Sequence, residues 1–402
     1  MDITIHPRAL RGELNIIPSK SQAHRLLICA AFADTPTRLL CSDTNRDIEA
    51  TADCLRALGA DITRTDSGFT VHPVTNLPVH ADLPCCESGS TLRFMLPIAG
   101  ALGVDATFHM EGRLPHRPLS SMWEEMERMG CTLTRPTPKT IRCTGKLHPG
   151  EYVIVGSVSS QYITGLLLAL SLLEEECQIH ITGRIESKPY IQMTRDAITC
   201  FGGNPDRPGG RKLHSPGTVT VEGDWSNAAF FLAADALASK FQKESCLRVL
   251  GLNYASAQGD RAVTNLLPLL MQGCPTISCA DIPDLVPILS VVAACSYGAV
   301  FTDISRLRLK ESDRVASVID MLTALGGKAS AAENVLIVQG TGLQGGIVDA
   351  VNDHRIAMSA AIAATVCDEE VTILGAECVQ KSYPRFWEEY NRLGGQYEQH
   401  LR

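Results

Sequence analysis

One local pattern recurs six times along this chain: a helical run that ends on glycine and leads toward a short strand-like stretch. It stands at Leu55-Arg56-Ala57-Leu58-Gly59, Glu127-Arg128-Met129-Gly130 and Ile198-Thr199-Cys200-Phe201-Gly202. It returns at Leu269-Leu270-Met271-Gln272-Gly273, Leu322-Thr323-Ala324-Leu325-Gly326 and Tyr390-Asn391-Arg392-Leu393-Gly394. The six glycines are 71, 72, 71, 53 and 68 residues apart. Two such matches could be chance, but six at near-equal spacing point to an internal repeat, of a period longer than a solenoid's. Each glycine is expected to be the left-handed residue that ends a helix before a strand.

Each repeat reads as strand, helix, strand, helix and closing strands. For the first, these are Ile3 to Ile5, a helix from Lys20, a strand near Arg38-Leu39-Leu40, a helix over 47–58, and strands at Asp61-Ile62-Thr63 and Gly68-Phe69-Thr70-Val71. A chain of 402 residues exceeds one compact core. Three repeats per domain therefore give two α/β lobes. The crossing between lobes is expected near Val221-Glu222-Gly223-Asp224-Trp225-Ser226-Asn227, ahead of an apolar helix from Ala228 to Leu237.

Charge and cysteine usage narrow the function classes. A formal net charge of −8 argues against a nucleic-acid partner, which calls for a basic surface. No run of 18 apolar residues occurs, and Met1-Asp2-Ile3-Thr4-Ile5 alternates like a strand, so neither a membrane span nor a signal peptide is expected. The 15 cysteines include no Cys-x-x-Cys pair, which favours buried, reduced thiols in a cytoplasmic protein over a metal or redox centre.

Several helix starts carry groups suited to anions. Pro18-Ser19-Lys20-Ser21-Gln22-Ala23-His24-Arg25 opens a helix whose apolar residues fall at 23, 26, 27, 30 and 31. Its first turn offers unpaired N–H groups and a positive dipole end, to which Lys20, Ser21 and Arg25 add two cations and a hydroxyl. Ser88-Gly89-Ser90-Thr91-Leu92-Arg93 and Gly156-Ser157-Val158-Ser159-Ser160-Gln161 open two more helices, and Arg113 and Arg117 lie between them. Gly89 would let a ligand approach the backbone, and an arginine fork matches phosphate or carboxylate bidentately.

The second half brings Asp281-Ile282-Pro283-Asp284, Arg308-Leu309-Lys310-Glu311-Ser312-Asp313-Arg314, Asn352-Asp353-His354-Arg355 and Lys381. Singly, each of these is equally well a capped helix or a solvated charge cluster. Together they place Lys20, Arg25, Arg93 and Arg117 in one lobe and Lys310, Arg314, Arg355 and Lys381 in the other. Two cationic faces that repel when empty and close on a shared anion are the expected device. The phosphate loop Gly-x-x-x-x-Gly-Lys-Ser/Thr, the Gly-x-Ser-x-Gly elbow and His-Glu-x-x-His are absent.

In this order, the motifs resemble those of the 5-enolpyruvylshikimate 3-phosphate synthase family over nearly the whole chain. Ser187-Lys188-Pro189-Tyr190 and Val221-Glu222-Gly223-Asp224 add to the likeness. The resemblance implies a two-lobed inside-out α/β barrel of six βαβαββ-type repeats, three per lobe, with the first strand crossing to the C-terminal lobe. The expected boundaries are 20–224 for one lobe and 1–19 plus 225–402 for the other, hinged near 19–21 and 223–227.

It also implies the reaction: the enolpyruvyl group of phosphoenolpyruvate passes to the 5-hydroxyl of shikimate 3-phosphate, releasing phosphate, on the route to aromatic amino acids. Such chemistry needs a base for the hydroxyl, a proton shuttle for carbon, and cations for two phosphates and a carboxylate. By resemblance, Asp284 is the base, and Glu311 and Lys20 handle proton transfer. Lys20, Gly89, Arg117, Gln161, Arg314, His354, Arg355 and Lys381 would bind phosphoenolpyruvate. Lys20, Ser21, Arg25, Ser159, Ser160, Gln161, Ser187, Tyr190, Asp284 and Lys310 would bind shikimate 3-phosphate. The expected enzyme is a cytoplasmic monomer with no metal, cofactor, nucleic-acid or membrane partner, and its pocket is expected to admit glyphosate because Gly89 carries no methyl group.

Three positions depart from the family pattern: Glu87 where asparagine is common, Ser90 where threonine is, and Arg306 where asparagine is. The sister transferase acting on UDP-N-acetylglucosamine shares the repeats, but its lysine is followed by asparagine and its mobile loop carries a cysteine. Here Ser21 follows Lys20 and the stretch from Arg113 to Pro118 has no cysteine. A non-catalytic small-anion-binding protein of the same fold is the other alternative, and phosphate release with both substrates separates the two classes.

Overall fold

A computed structural model of the chain describes residues 1–241 and 246–400. It divides into two compact units, Pro18–Glu222 and the pair of segments Met1–Ile17 with Gly223–Arg402.

Unit Pro18–Glu222 holds helices α1 (Lys20–Ala31), α2 (Arg46–Ala57), α3 (Gly89–Leu102), α4 (Met122–Arg128), α5 (Ser160–Leu170) and α6 (Lys188–Cys200). Its first sheet orders Thr218–Thr220, Thr37–Leu40, Gly68–His72 and Asp61–Thr65. The first pair is parallel and the next two are antiparallel. The second sheet repeats this order with His80–Cys86, Asp105–Met110, Thr140–Gly145 and Cys131–Thr137. The third keeps only the parallel pair Glu151–Val155 and Gln178–Thr182. Register follows burial: Leu39 pairs with Phe69 and Ile62 with Val71, and all four are buried while Arg38, Thr63 and His72 beside them are exposed.

The other unit holds α7 (Trp225–Lys240), α8 (Val263–Gln272), α9 (Val286–Ala294), α10 (Arg314–Ala324), α11 (His354–Ala364) and α12 (Phe386–Arg392). One sheet is Thr276–Ser278, Ala299–Thr302, Val335–Gln339 and Lys328–Ala332 in the same order. A second is the parallel pair Gly12–Asn15 and Leu247–Leu250. The third is Gly346–Asp349, Val371–Leu374, Asp2–His6 and Gln396–His400.

Two of these pairings correct the strand assignment read from the sequence. Ile3 to Ile5 do not open the first repeat: they lie antiparallel between Val371–Leu374 and Gln396–His400, in the last sheet. The first sheet takes its opening strand from Thr218–Thr220 instead. Each unit thus completes a sheet with a strand far away in sequence, which adjacency along the chain could not reveal.

Helices α1, α3 and α5 in one unit and α7, α9 and α11 in the other are the most buried, while α2, α4, α6, α8, α10 and α12 keep an exposed face, which is the inside-out arrangement. All eleven residues of α11 and all nine of α9 are buried, as a helix surrounded by protein requires. In α3, twelve of fourteen are buried, and α5 packs against it so tightly that a Cβ on Gly165 would overlap the main-chain oxygen of Arg93.

Five of the six repeat glycines do end a helix with positive φ: Gly59 (102°), Gly130 (111°), Gly202 (75°), Gly326 (83°) and Gly394 (91°). Gly273 does not, having φ −178°. Pro275 restricts Cys274 to extended backbone, and the strand Thr276–Ser278 follows directly. Nor does a strand follow Gly202 directly: among the described residues that stretch contributes only a single bridge from Leu213 to Ala33. Of the 15 cysteines, eleven are buried, while Cys200, Cys246 and Cys274 are exposed and Cys86 is intermediate.

Candidate active site

In unit Pro18–Glu222 the anion-facing residues sit at helix starts, as their caps dictate. Ser19 caps α1, and Lys20 is the first helical residue. Its ammonium lies 2.8 Å from Asp47 Oδ2 in the first turn of α2, with both side chains largely buried. Arg25, one turn on, is 2 % exposed. Its nitrogens donate to Thr194 Oγ1 (2.8 Å), Thr164 Oγ1 (3.2 Å) and the main-chain oxygens of Tyr190 (2.9 Å) and Ser21, and its plane lies over Phe94. Burial brings the guanidinium down to about 10, which leaves it charged at neutral pH. Arg25 ties α1 to α5 and α6.

Ser88 caps α3, and Gly89 is its first residue. A Cβ there would stand 2.6 Å from Nη1 of both Arg93 and Arg117, so two guanidinium groups converge on the space that glycine leaves open. Arg93 donates to Gln161 Oε1 (3.0 Å) and Pro118 O (3.1 Å). Gln161 in turn donates to Ser90 Oγ (2.9 Å), so the α3 and α5 starts are joined through Arg93, Gln161 and Ser90. Ser90, a departure from the family pattern, therefore has a definite partner. Glu87 lies against Gly112, whose φ is 53°.

Ser159 caps α5 by accepting from the Gln161 N–H, and Ser160 beside it is buried. Ser187 precedes α6 with φ 54° and ψ 42°, a left-handed conformation that costs a non-glycine residue about 1 kcal/mol or more. It is buried, and its main-chain oxygen accepts from the Tyr190 N–H (3.1 Å). Arg113 is exposed.

In the other unit the charges form one cluster. Asp313 caps α10 and Arg314 opens it, 1 % exposed. Its Nη1, Nη2 and Nε contact Asp284 Oδ1 (2.6 Å), Glu311 Oε2 (2.7 Å) and Asp353 Oδ2 (2.8 Å). Lys310 reaches Asp284 Oδ1 at 3.2 Å and Arg355 reaches Oδ2 at 3.3 Å. Asp353, buried as the cap of α11, also accepts from Ser312 Oγ and the Arg355 N–H, both at 3.0 Å. His354 beside it is buried, and Lys381 donates to Asn352 O (3.0 Å).

Burial alone would push the Asp284 carboxyl up, but Arg355, Lys310 and Arg314 outweigh it and hold it well below the usual range. Burial brings the Lys310 ammonium down to about 8 despite Asp284, and Arg306 adds to that lowering. Burial first, and then the Asp284 charge, raise Asp260 to about 7; the Ser226 hydroxyl donates to it.

The structure thus gathers Asp284, Lys310, Glu311, Arg314 and Arg355 into one cluster, and Gly89, Arg117 and Gln161 into another. Sequence reading gave no role to Asp47, Asp260 or Asp353. Asp353 lay inside a quoted motif, and its place before a helix could have marked it as a cap. Nothing local announces that Asp47 meets a lysine 27 residues earlier. Among the described residues no group of three or more His, Cys, Asp or Glu could hold a metal ion, and no helix is long and apolar enough to cross a membrane.

The profile of the family EPSP synthase (3-phosphoshikimate 1-carboxyvinyltransferase) matches residues 5–390. The chain belongs to the EPSP synthase family. Relatives named 3-phosphoshikimate 1-carboxyvinyltransferase include one from Clostridium kluyveri, 37 % identical, and one from Clostridium beijerinckii, 36 % identical. Each alignment covers 99 % of this chain and 98 % of the relative. The EPSP synthase fold is shared with a solved EPSP synthase from Acinetobacter baumannii (TM-score 0.80, 23 % identity, 99 % of this chain and all of that one). The enolpyruvyl transferase NikO from Streptomyces tendae is also similar (TM-score 0.74, 19 % identity, 99 % and 98 % covered).

Proposed function

We propose that this EPSP synthase family member transfers the enolpyruvyl group of phosphoenolpyruvate to the 5-hydroxyl of shikimate 3-phosphate, with release of phosphate, in aromatic amino acid biosynthesis. Family membership over residues 5–390 supports the activity. The observation that carries the residue roles is the Arg314 cluster: pure anion binding has no need of Asp284 and Glu311 beside its cations.

The chemistry begins with a proton added to the methylene carbon, which leaves the adjacent carbon electron-poor. The 5-hydroxyl oxygen bonds to that carbon and gives up its proton. The resulting tetrahedral intermediate then loses a proton from its methyl group, and the C–O bond to phosphate breaks. Asp284 takes the hydroxyl proton, while Glu311 and Lys20 exchange the proton with carbon. Cations that pair with Asp284 weaken it as a base. Phosphate and carboxylate groups that draw Lys310 and Arg355 toward themselves restore its basicity, so substrate arrival arms the base.

Lys20, Gly89, Arg117, Gln161, Arg314, His354, Arg355 and Lys381 are assigned to phosphoenolpyruvate. Lys20, Ser21, Arg25, Ser159, Ser160, Gln161, Ser187, Tyr190, Asp284 and Lys310 are assigned to shikimate 3-phosphate. Arg25 already spends four bonds on protein groups, so its part is to hold the start of α1 while offering charge. The protein acts as a cytoplasmic monomer in this reading.

Phosphate release tests it. Release is expected only when phosphoenolpyruvate and shikimate 3-phosphate are both present. Binding of both without release would establish an anion-binding protein, and release with UDP-N-acetylglucosamine instead would establish the sister activity.

A further inference from the structure

His24 has no part in the assignments above, yet it sits among them. It lies on α1 between Lys20 and Arg25, and its side chain is 1 % exposed. Its Nδ1 is 2.7 Å from Thr51 Oγ1 on α2, which is 2.8 Å from Thr91 Oγ1 on α3. Thr91 Oγ1 stands 2.7 Å from Ser88 Oγ, the α3 cap, and 3.3 Å from the main-chain oxygen of Asp47. Ser88, Thr51 and Thr91 are fully buried. On its other side the ring meets Phe94 edge-on at 6.2 Å, and Nε2 is buried with no hydrogen-bond partner among the described residues.

The last acceptor gives this chain a direction. A hydroxyl has one proton to donate, and a main-chain carbonyl can only accept. Thr91 is the donor both to Ser88 Oγ and to Asp47 O; with its one proton turned to either, Thr51 passes its own to Thr91, and Nδ1 of His24 then carries the hydrogen given to Thr51. The ring is neutral, because burial, and then Lys20 and Arg25, disfavour a third cation there. A residue chosen only to fill the space between three helices would need no nitrogen, and this one leaves Nε2 unmatched in order to donate from Nδ1.

We propose that His24 is a positioning residue for the enolpyruvyl transfer: as the Nδ1–H tautomer it drives a one-way hydrogen-bond chain through Thr51 and Thr91. That chain fixes the α2 start, where Asp47 holds Lys20, and the α3 start, where Gly89 faces Arg93 and Arg117. The inference rests on the function proposed above. It predicts a cost in kcat, since the groups displaced are those that handle protons and orient the reacting carbon.

Two measurements on the full chain decide it. In the first, nitrogen-15 NMR of histidine-labelled wild-type protein, with His24 identified by its loss in His24→Asn, reads the tautomer. Hydrogen on Nδ1 is expected; hydrogen on Nε2, or a charged ring near neutral pH, overturns the proposal. In the second, phosphate release is followed with both substrates, beside thermal unfolding. His24→Leu is expected to lower kcat by roughly ten- to a hundredfold, with a smaller change in KM. His24→Asn, whose amide can donate from the Nδ1 position, restores kcat to within a few-fold, whereas His24→Gln, which reaches the Nε2 position, does not. Thr51→Val reproduces the loss, and the double variant His24→Leu/Thr51→Val loses no more than either single change. Losses that multiply, or a folded His24→Leu protein with wild-type kcat, overturn it. A wild-type protein that releases no phosphate would refute the function, while the tautomer still decides the chain.

Discussion

Arg314 Nη1 stands 2.6 Å from Asp284 Oδ1, and the same guanidinium holds Glu311 and Asp353, so one buried cation is the counter-ion of three carboxylates. Removing one partner of a buried pair is costly when it leaves the other uncompensated. In Asp284→Ala, Arg314 keeps two carboxylates while Lys310 and Arg355 lose the one they share, so the variant should fold with reduced stability. Turnover should fall by about 10²- to 10⁴-fold, as expected for a lost general base. Calorimetry should still detect both substrates. Near-normal phosphate release would remove Asp284 from the mechanism. Arg314→Ala, in contrast, takes the guanidinium from Glu311 and from the fully buried Asp353, while Asp284 keeps Lys310 and Arg355, and should lose about 3 kcal/mol or more of stability.

Gly89→Ala probes the other cluster. The added methyl falls 2.6 Å from Nη1 of Arg93 and of Arg117, both at the ends of flexible side chains. These can swing aside, so the melting temperature should change little. The position of the charges, however, is what an anion at the α3 start would read. KM for phosphoenolpyruvate is expected to rise about tenfold or more, the equivalent of one displaced charge-assisted hydrogen bond. Inhibition by glyphosate, expected for the wild type, should weaken in parallel. An unchanged KM would place phosphoenolpyruvate away from Gly89.

What could be read from the sequence depended on how local the signal was. Helix ends at Gly59 or Gly326, and starts at Ser19 or Ser88, were legible because capping is decided within a few residues. Strand partnership was not: Ile5 pairs with Val371 and Tyr397, and no period in the sequence encodes a partner that distant. The same distinction governs the candidate site. Gly89 and Arg314 stand at helix starts that advertise themselves, whereas the Lys20–Asp47 pair and the Thr51–Thr91 contact exist only once α1, α2 and α3 have packed.

Lys310 supplies a pH signature. Burial sets its ammonium to about 8, so it is charged at neutral pH and loses its proton a little above. In the free enzyme that loss removes a cation assigned to shikimate 3-phosphate. The value of kcat/KM for this substrate should therefore decline with a pKa near 8 as pH rises. Lys310→Arg keeps the charge throughout that range, and its alkaline limb should move upward by more than about one pH unit. Identical profiles for the two proteins would show that some other group titrates there.

Asp260 is tested by stability rather than by rate. Its carboxyl is 2 % exposed and raised from 3.8 to about 7, chiefly by burial and then by the Asp284 charge. The folded protein therefore binds this proton more tightly than the unfolded chain does. The stabilisation is fully present below the unfolded value and is lost as pH rises toward 7. Asp284 and Asp353, whose values are lowered, act at the acid end instead and do not enter this window. Asp260→Asn cannot ionise, yet it retains an oxygen to accept the Ser226 hydroxyl. Melting temperatures at about pH 5 and about pH 8 should therefore fall less in the variant than in the wild type, and at the higher pH the variant should melt above it. Parallel changes in both proteins would mean that Asp260 is already ionised in the fold at pH 5, with Arg355 holding it charged.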